Sequence, residues 1–354
     1  MSVRSGLSFR SVLSAVTLLL IAVVIYEARY SLERAWALMG QVNPWMLSLV
    51  VPTVIISYFA TGGMIFSYLK QKKLIDHLGV VKMMRISMEL NFVNHVLPSG
   101  GASGVAYFNW RLGKLGVATA RSTMAQAVRY VAGFIASTLM LLVGLVVVTI
   151  DGTVNRWIIL MSAALVIAMI VGTFALYFAV SNKRRIAKIS SWSTRTGNAV
   201  VRRVTFGKVS AVLNYNRVDK FFNELHEDYV ELSRNRRLLI QPVLWGILYV
   251  IMDVAMFWIT FWSFGVYVNP ATILIAYNIA AAAGFLVATP GGVGPYEAIM
   301  VMVIVMSGVD NANALAGIIL ARTIILLVTI VGGYIFYQQS ILKYGKPKQL
   351  AANS

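Results

Sequence analysis

Two breaks of similar composition interrupt apolar stretches that would otherwise run on through a lipid bilayer, and these breaks narrow the possible folds more than any other feature. A helix that crosses the hydrocarbon core needs about 17–25 apolar residues. Six stretches meet that requirement without interruption: 11–29, 45–69, 118–150, 157–181, 238–264 and 311–338. Two more, 82–113 and 270–308, are cut at Pro98-Ser99-Gly100-Gly101 and at Thr289-Pro290-Gly291-Gly292. Proline removes a backbone donor and paired glycine frees the backbone, so each cut ends one helix and starts another. The pieces are short for a crossing, and each reads as a re-entrant hairpin that enters and leaves on one side. The expectation is an all-α membrane helix bundle with about six full spans and two opposed hairpins. A 354-residue chain that is 58% hydrophobic and only 12% charged could not hide its apolar surface in one soluble core.

The basic residues orient the bundle. With the N-terminus inside and each hairpin returning to its own side, 26 of the 31 Lys and Arg fall in cytoplasmic stretches, among them Arg111 and the thirteen of 183–237. Only Arg29, Arg34 and Arg156 lie outside, and Arg129 and Arg322 lie within spans. This positive-inside bias assigns the net charge of +18 to topology and to anionic headgroups rather than to nucleic acid. Both termini are then expected in the cytoplasm, and the membrane is expected to be a bacterial-type plasma (inner) membrane. Tyr26-Glu27-Ala28-Arg29 makes a poor cleavage site after 11–25, so a retained first helix is expected rather than a signal peptide.

In this topology 1–354 is one membrane domain of two repeats, 45–150 with hairpin 82–113 and 238–338 with hairpin 270–308. A basic cytoplasmic linker, 182–237, joins them. The second repeat is the first turned over, the arrangement in which transporters place broken helices and a midplane site. Arg129 lies 31 residues after Pro98 and Arg322 lies 32 after Pro290. Two costly charges at matching positions call for a reason. A plainer reading also stands: 270–288 is long enough to cross alone, Pro-Gly breaks serve packing, and the arginines pair with buried acids. In the linker, Phe221, Phe222, Leu225, Tyr229 and Leu232 form an apolar stripe that either lies on the membrane surface or packs beneath the bundle.

An anion crossing the bilayer needs partners along its path, since an unpaired buried charge is prohibitively costly. Pro98, Gly100, Gly101 and Gly104 in the first hairpin, and Pro290, Gly291, Gly292 and Gly294 in the second, offer free helix N-terminal amides and close backbone approach. Arg129 and Arg322 add fixed charge and bidentate geometry for a phosphate. Asn91 and Asn94 precede the first break, where they cap freed carbonyls or meet a headgroup; His95 beside them is left out of the core site. The acids in apolar surroundings are Glu89, Asp253 and Glu297. They either neutralise the arginines or take up and release a proton during transport. Trp45, Trp110, Trp157, Trp245 and Trp262 fall near span ends, as interfacial anchors do.

Asn94-His95-Val96-Leu97-Pro98-Ser99-Gly100-Gly101 and Thr289-Pro290-Gly291-Gly292-Val293-Gly294-Pro295-Tyr296-Glu297 resemble the broken helices of the lysylphosphatidylglycerol synthetase transmembrane (flippase-like) domain family. The likeness of layout covers nearly the whole chain. It implies a lipid flippase whose partners are membrane lipids: an anionic or aminoacylated phospholipid, or a polyprenyl-linked glycolipid. A lipid-modifying enzyme partner is also compatible. The residues after the last span are too few for the aminoacyl-transferase domain of fused members, so the expectation is a stand-alone member that is not an enzyme. No GxxxxGK[ST] loop, cysteine or metal-ligand spacing of the three histidines occurs, and neither ATP, cofactor nor metal is expected. Two alternatives remain: a membrane enzyme or subunit of lipid synthesis, and an ion-coupled carrier of a small solute.

Overall fold

The computed structural model describes residues 19, 21–23, 25–26, 29–96, 102–151, 156–180, 215–286 and 294–344, and among these every regular element is helical. In chain order the α-helices are α1 (Arg29–Leu38), α2 (Pro44–Ser48), α3 (Val50–Gln71), α4 (Val80–Val96), α5 (Ala102–Gly113), α6 (Thr119–Asp151), α7 (Arg156–Val180), α8 (Tyr215–Arg234), α9 (Ile240–Ser263), α10 (Pro270–Leu286), α11 (Pro295–Met306) and α12 (Asn311–Tyr344). Among the described residues, four helical stretches are long and apolar enough to cross a membrane: Pro44–Gln71, Thr119–Ile150, Arg236–Ser263 and Asn311–Tyr344. The expected span 157–181 coincides with α7, and most of the expected first span, 11–29, lies outside the described residues.

Both broken stretches are helix pairs. The arms α4 and α5 contain 17 and 12 residues, and so do α10 and α11. The long helices that follow, α6 and α12, run for 33 and 34 residues. The sequence sets these limits locally. Pro270 opens α10 while the Asn269 side chain accepts from the Ala271 amide at 2.9 Å, and the Asp310 carboxylate accepts from the Ala312 amide at the same distance to open α12. Between each second arm and its long helix the chain turns through a glycine of positive φ, Gly116 (φ 87°) or Gly308 (φ 96°). The residues at the breaks, including Pro98, Gly100, Gly101, Pro290, Gly291 and Gly292, lie outside the described set.

Helices α3 and α9 form the central pair, and each first arm packs on the long helix of the other half: α4 on α12, and α10 on α6. Small residues permit these approaches, as expected where helices associate without a hydrophobic driving force. A Cβ on Gly63 would lie 2.4 Å from the Trp245 ring, and one on Gly246 would lie 2.9 Å from the Cβ of Ala136. Trp245 is therefore a packing residue between α3 and α9, whereas Trp45, Trp157 and Trp262 are exposed, as anchors would be. On α12, a Cβ at Gly333 would meet the Phe92 Cβ at 2.4 Å and the Met88 carbonyl at 3.1 Å. Neither can swing away, so Gly333→Leu is expected to destabilise the protein by about 1–3 kcal/mol, read as a lower melting temperature in detergent.

Helix α8 docks on the bundle rather than standing free. Lys72, buried at the end of α3, pairs with Asp228 and, at 2.8 Å, with Glu231. Tyr229 and Leu232 pack on the cluster that contains Ile65, Leu69 and Leu238. Of the two placements open for the apolar stripe, these residues take the one against the bundle; the side chains of Phe221, Phe222 and Leu225 are outside the described set.

Candidate functional site

Each half carries a carboxylate paired with an arginine, but the first half closes differently from what the sequence suggests. Glu89 on α4 is 1% exposed, and its Oε2 accepts from Arg111 Nε at 2.9 Å and from the Tyr107 hydroxyl at 2.9 Å. Its Oε1 accepts from Ser340 Oγ of α12 at 2.6 Å. Arg111 is 4% exposed and lies over the Tyr344 ring at 4.6 Å. Arg111, counted by sequence among the cytoplasmic charges, is buried in the protein, an interior cation that ties the two arms of the first hairpin together. The carboxylate stays in an apolar setting because three donors, Arg111, Tyr107 and Ser340, share its charge.

In the second half Arg322 on α12 donates through Nε to Glu297 Oε1 at 2.9 Å and stacks over the Tyr296 ring at 4.5 Å. Glu297 is the third residue of α11, and its other oxygen accepts from the Gly294 amide at 2.6 Å. Gly294, at φ 99°, holds a conformation open to glycine and starts the arm. Glu297 therefore both caps α11 and neutralises Arg322, one of the two roles open to it from sequence.

Between the halves lies a polar cluster. Asp253 on α9 accepts from Ser57 Oγ of α3 and from the Tyr277 hydroxyl of α10, which bonds the Tyr249 hydroxyl at 2.9 Å. Thr329 commits its proton to the Ile325 carbonyl at 2.6 Å, so the Tyr58 hydroxyl donates to Thr329 Oγ1. Tyr58 packs on His95 with ring centroids 6.0 Å apart, and both lie within electrostatic reach of Arg322. Asp253 is thus held by hydroxyls, and among the described residues no cation touches it.

Arg129 has no such closure. Its Nε is buried without a hydrogen-bond partner, and its guanidinium lies 4.4 Å over the neighbouring Tyr130 ring. The expectation that buried acids neutralise both arginines holds for Arg322 and fails for Arg129, because no carboxylate among the described residues pairs with it. Asn91 is corrected as well: its Nδ2 donates back to the Ser87 carbonyl at 2.9 Å, and His95, left out of the core site, meets the Asn91 carbonyl through Nδ1 at 2.8 Å. Neither reaches forward to the break. Asn94 Oδ1 is buried and unpartnered, packed where a side chain on Gly104 would stand. Sequence reasoning missed Arg111, Tyr107 and Ser340. The signal was there in Tyr107 and Arg111, one helical turn apart on a short arm that follows Glu89.

No group of three or more His, Cys, Asp or Glu suited to a metal occurs among the described residues. A comparison with curated proteins found no match. The profile of the lysylphosphatidylglycerol synthase TM region matches residues 10–333, nearly the whole chain. The chain therefore belongs to the lysylphosphatidylglycerol synthase TM region family and is a helical membrane protein tied to lipid handling.

Proposed function

We propose that the protein is a flippase that moves an anionic or zwitterionic phospholipid, an aminoacylated phospholipid or a lipid-linked sugar between the leaflets of a bacterial-type inner membrane, with both termini cytoplasmic. In this reading 45–150 and 238–338 are inverted repeats, 182–237 is a cytoplasmic linker, and the chain is a carrier rather than an enzyme. The observation that carries it is the matched pair of hairpins, each with arms of 17 and 12 residues and each followed by a long helix bearing an arginine one-third of the way along. Buried charge at such positions is the usual mark of a path for a charged group. The family, named for a lipid-synthesising enzyme's membrane region, supports a lipid cargo. In this reading Arg129, Arg322, Gly104, Gly294 and Asn94 bind the headgroup. Glu297 releases Arg322 when a phosphate arrives, and Glu89 and Asp253 are the remaining candidates for coupling.

The test is lipid flipping in proteoliposomes that carry labelled phospholipids and glycolipids. Wild type is expected to speed exchange of at least one anionic or zwitterionic lipid, and Arg322→Ala to lose most of that. Folded wild-type protein that moves no lipid in the panel would overturn the proposal and favour a solute carrier or a subunit of an enzyme.

A further inference from the structure

The two halves are matched in register but not in charge. Glu297 precedes Arg322 by 25 residues, and each stands at a fixed place, third in its arm and twelfth in its long helix. In the first half the third residue of the arm is Gly104, and Arg129 follows it by the same interval. Where the second half supplies a carboxylate, the first half supplies a glycine.

The side chains around that glycine are polar and unsatisfied, and Asn94 occupies the place a side chain there would take. Gln126, one turn before Arg129 on α6, is 1% exposed, yet neither its Oε1 nor its Nε2 has a partner. Arg129 Nε and Asn94 Oδ1 are likewise buried and unpartnered. They lie at one level. Asn109 of α5 bonds Thr123 at 2.9 Å and Ser122 at 2.5 Å, which fixes the antiparallel register of the two helices. Five residues back along α5 is Gly104, and the same rise along α6, about 7.5 Å, reaches the turn between Gln126 and Arg129. Ser122, Gln126 and Arg129 share one stripe at helical spacing. Asn94 Oδ1 lies 1.9 Å from the point where a Cβ on Gly104 would sit.

Leaving an amide, a guanidinium nitrogen and a second amide oxygen dry is costly, and native interiors rarely tolerate several together. The geometry points to a docking site for a phosphate ester that also carries a hydroxyl or amine, formed by Arg129, Gln126 and Asn94 around Gly104, whose counterpart in the second half is filled by Glu297. Phosphate oxygens accept from Arg129 Nε and the Gln126 amide nitrogen. The ligand's own donor serves the Gln126 and Asn94 oxygens, a pairing that simple sulfate or a hydrocarbon cannot complete. The inference rests on the transport reading for its role and assigns headgroup docking to the first half, leaving Arg322 closed until the headgroup moves on.

The test uses the full chain purified in lipid-free detergent, with binding of dioleoylphosphatidylglycerol, dioleoylglycerol and glycerol 3-phosphate followed by native mass spectrometry and by melting temperature. Phosphatidylglycerol is expected to bind and stabilise wild type, and dioleoylglycerol to do neither. Arg129→Gln and Gln126→Leu are expected to weaken phosphatidylglycerol about tenfold or more, near 1.4 kcal/mol. Without lipid, Gln126→Leu is expected to melt no lower than wild type, since it discards an amide that has no bond to lose. Glycerol 3-phosphate binding as tightly as the lipid would keep the site and identify a soluble ester as its occupant. A Gln126→Leu protein that melts lower and binds phosphatidylglycerol like wild type would overturn the site, even if wild type flips lipid. Loss of binding in Gln126→Leu with no flipping by wild type would keep the site and reject transport instead.

Discussion

Arg111→Met is expected to lower the stability of the folded protein by about 3–5 kcal/mol, the usual cost of removing one member of a buried ion pair. Glu89 would be left with only the Tyr107 and Ser340 hydroxyls as partners. Replacing both members, as in Glu89→Leu with Arg111→Met, is expected to recover a large part of the loss, because an apolar pair of similar volume avoids the desolvation of both charges. The two proteins are compared by unfolding in detergent. A single variant as stable as wild type would show that Glu89 does not depend on Arg111. The contact matters for the fold because Ser340 belongs to α12 and Arg111 to α5, so Glu89 holds the first hairpin to the last helix of the other half.

Arg322→Gln is expected to have the larger effect on transport and a smaller one on folding. Glu297 retains the Gly294 amide as a partner and remains a helix cap, so the arm keeps its start. A phosphate on its way past loses one charge-assisted contact, worth about 1.5–3 kcal/mol. That corresponds to roughly 10- to 150-fold in the rate of lipid exchange, measured in the same vesicles at equal amounts of folded protein. An unchanged rate would remove Arg322 from the path. Arg129→Gln bears on docking instead, and its effect is expected to appear first in lipid affinity.

The long helices α3, α6, α7, α9 and α12 and the two-arm form of 82–113 and 270–308 were legible because bilayer crossing demands long apolar runs, and proline with glycine is a local, one-dimensional signal. The Arg322–Glu297 pair was half legible, since both residues stood out as charges in apolar surroundings. The burial of Arg111 was not legible for a physical reason: it lies near the end of a short arm, where a charge is expected to be solvated, and its partner Glu89 is 22 residues away on the other arm. Ser340, 251 residues from Glu89, and Ser57, 196 from Asp253, join the site only through packing that sequence spacing does not carry. Gln126 escaped notice because an uncharged amide hardly alters the hydropathy of α6, although its spacing from Arg129 placed the two on one face.

The claim beneath the transport reading is that the halves face opposite sides of the membrane, and the absence of cysteine in the chain makes it directly measurable. Single cysteines at Lys114, after the first hairpin, and at Ala312, after the second, are both at exposed positions. They are labelled with a membrane-impermeant maleimide in spheroplasts and in inverted vesicles. Inverted halves require Lys114→Cys to react only from the cytoplasmic face and Ala312→Cys only from the opposite one. Both cysteines reacting from the same face would contradict the inversion and the lipid path built on it.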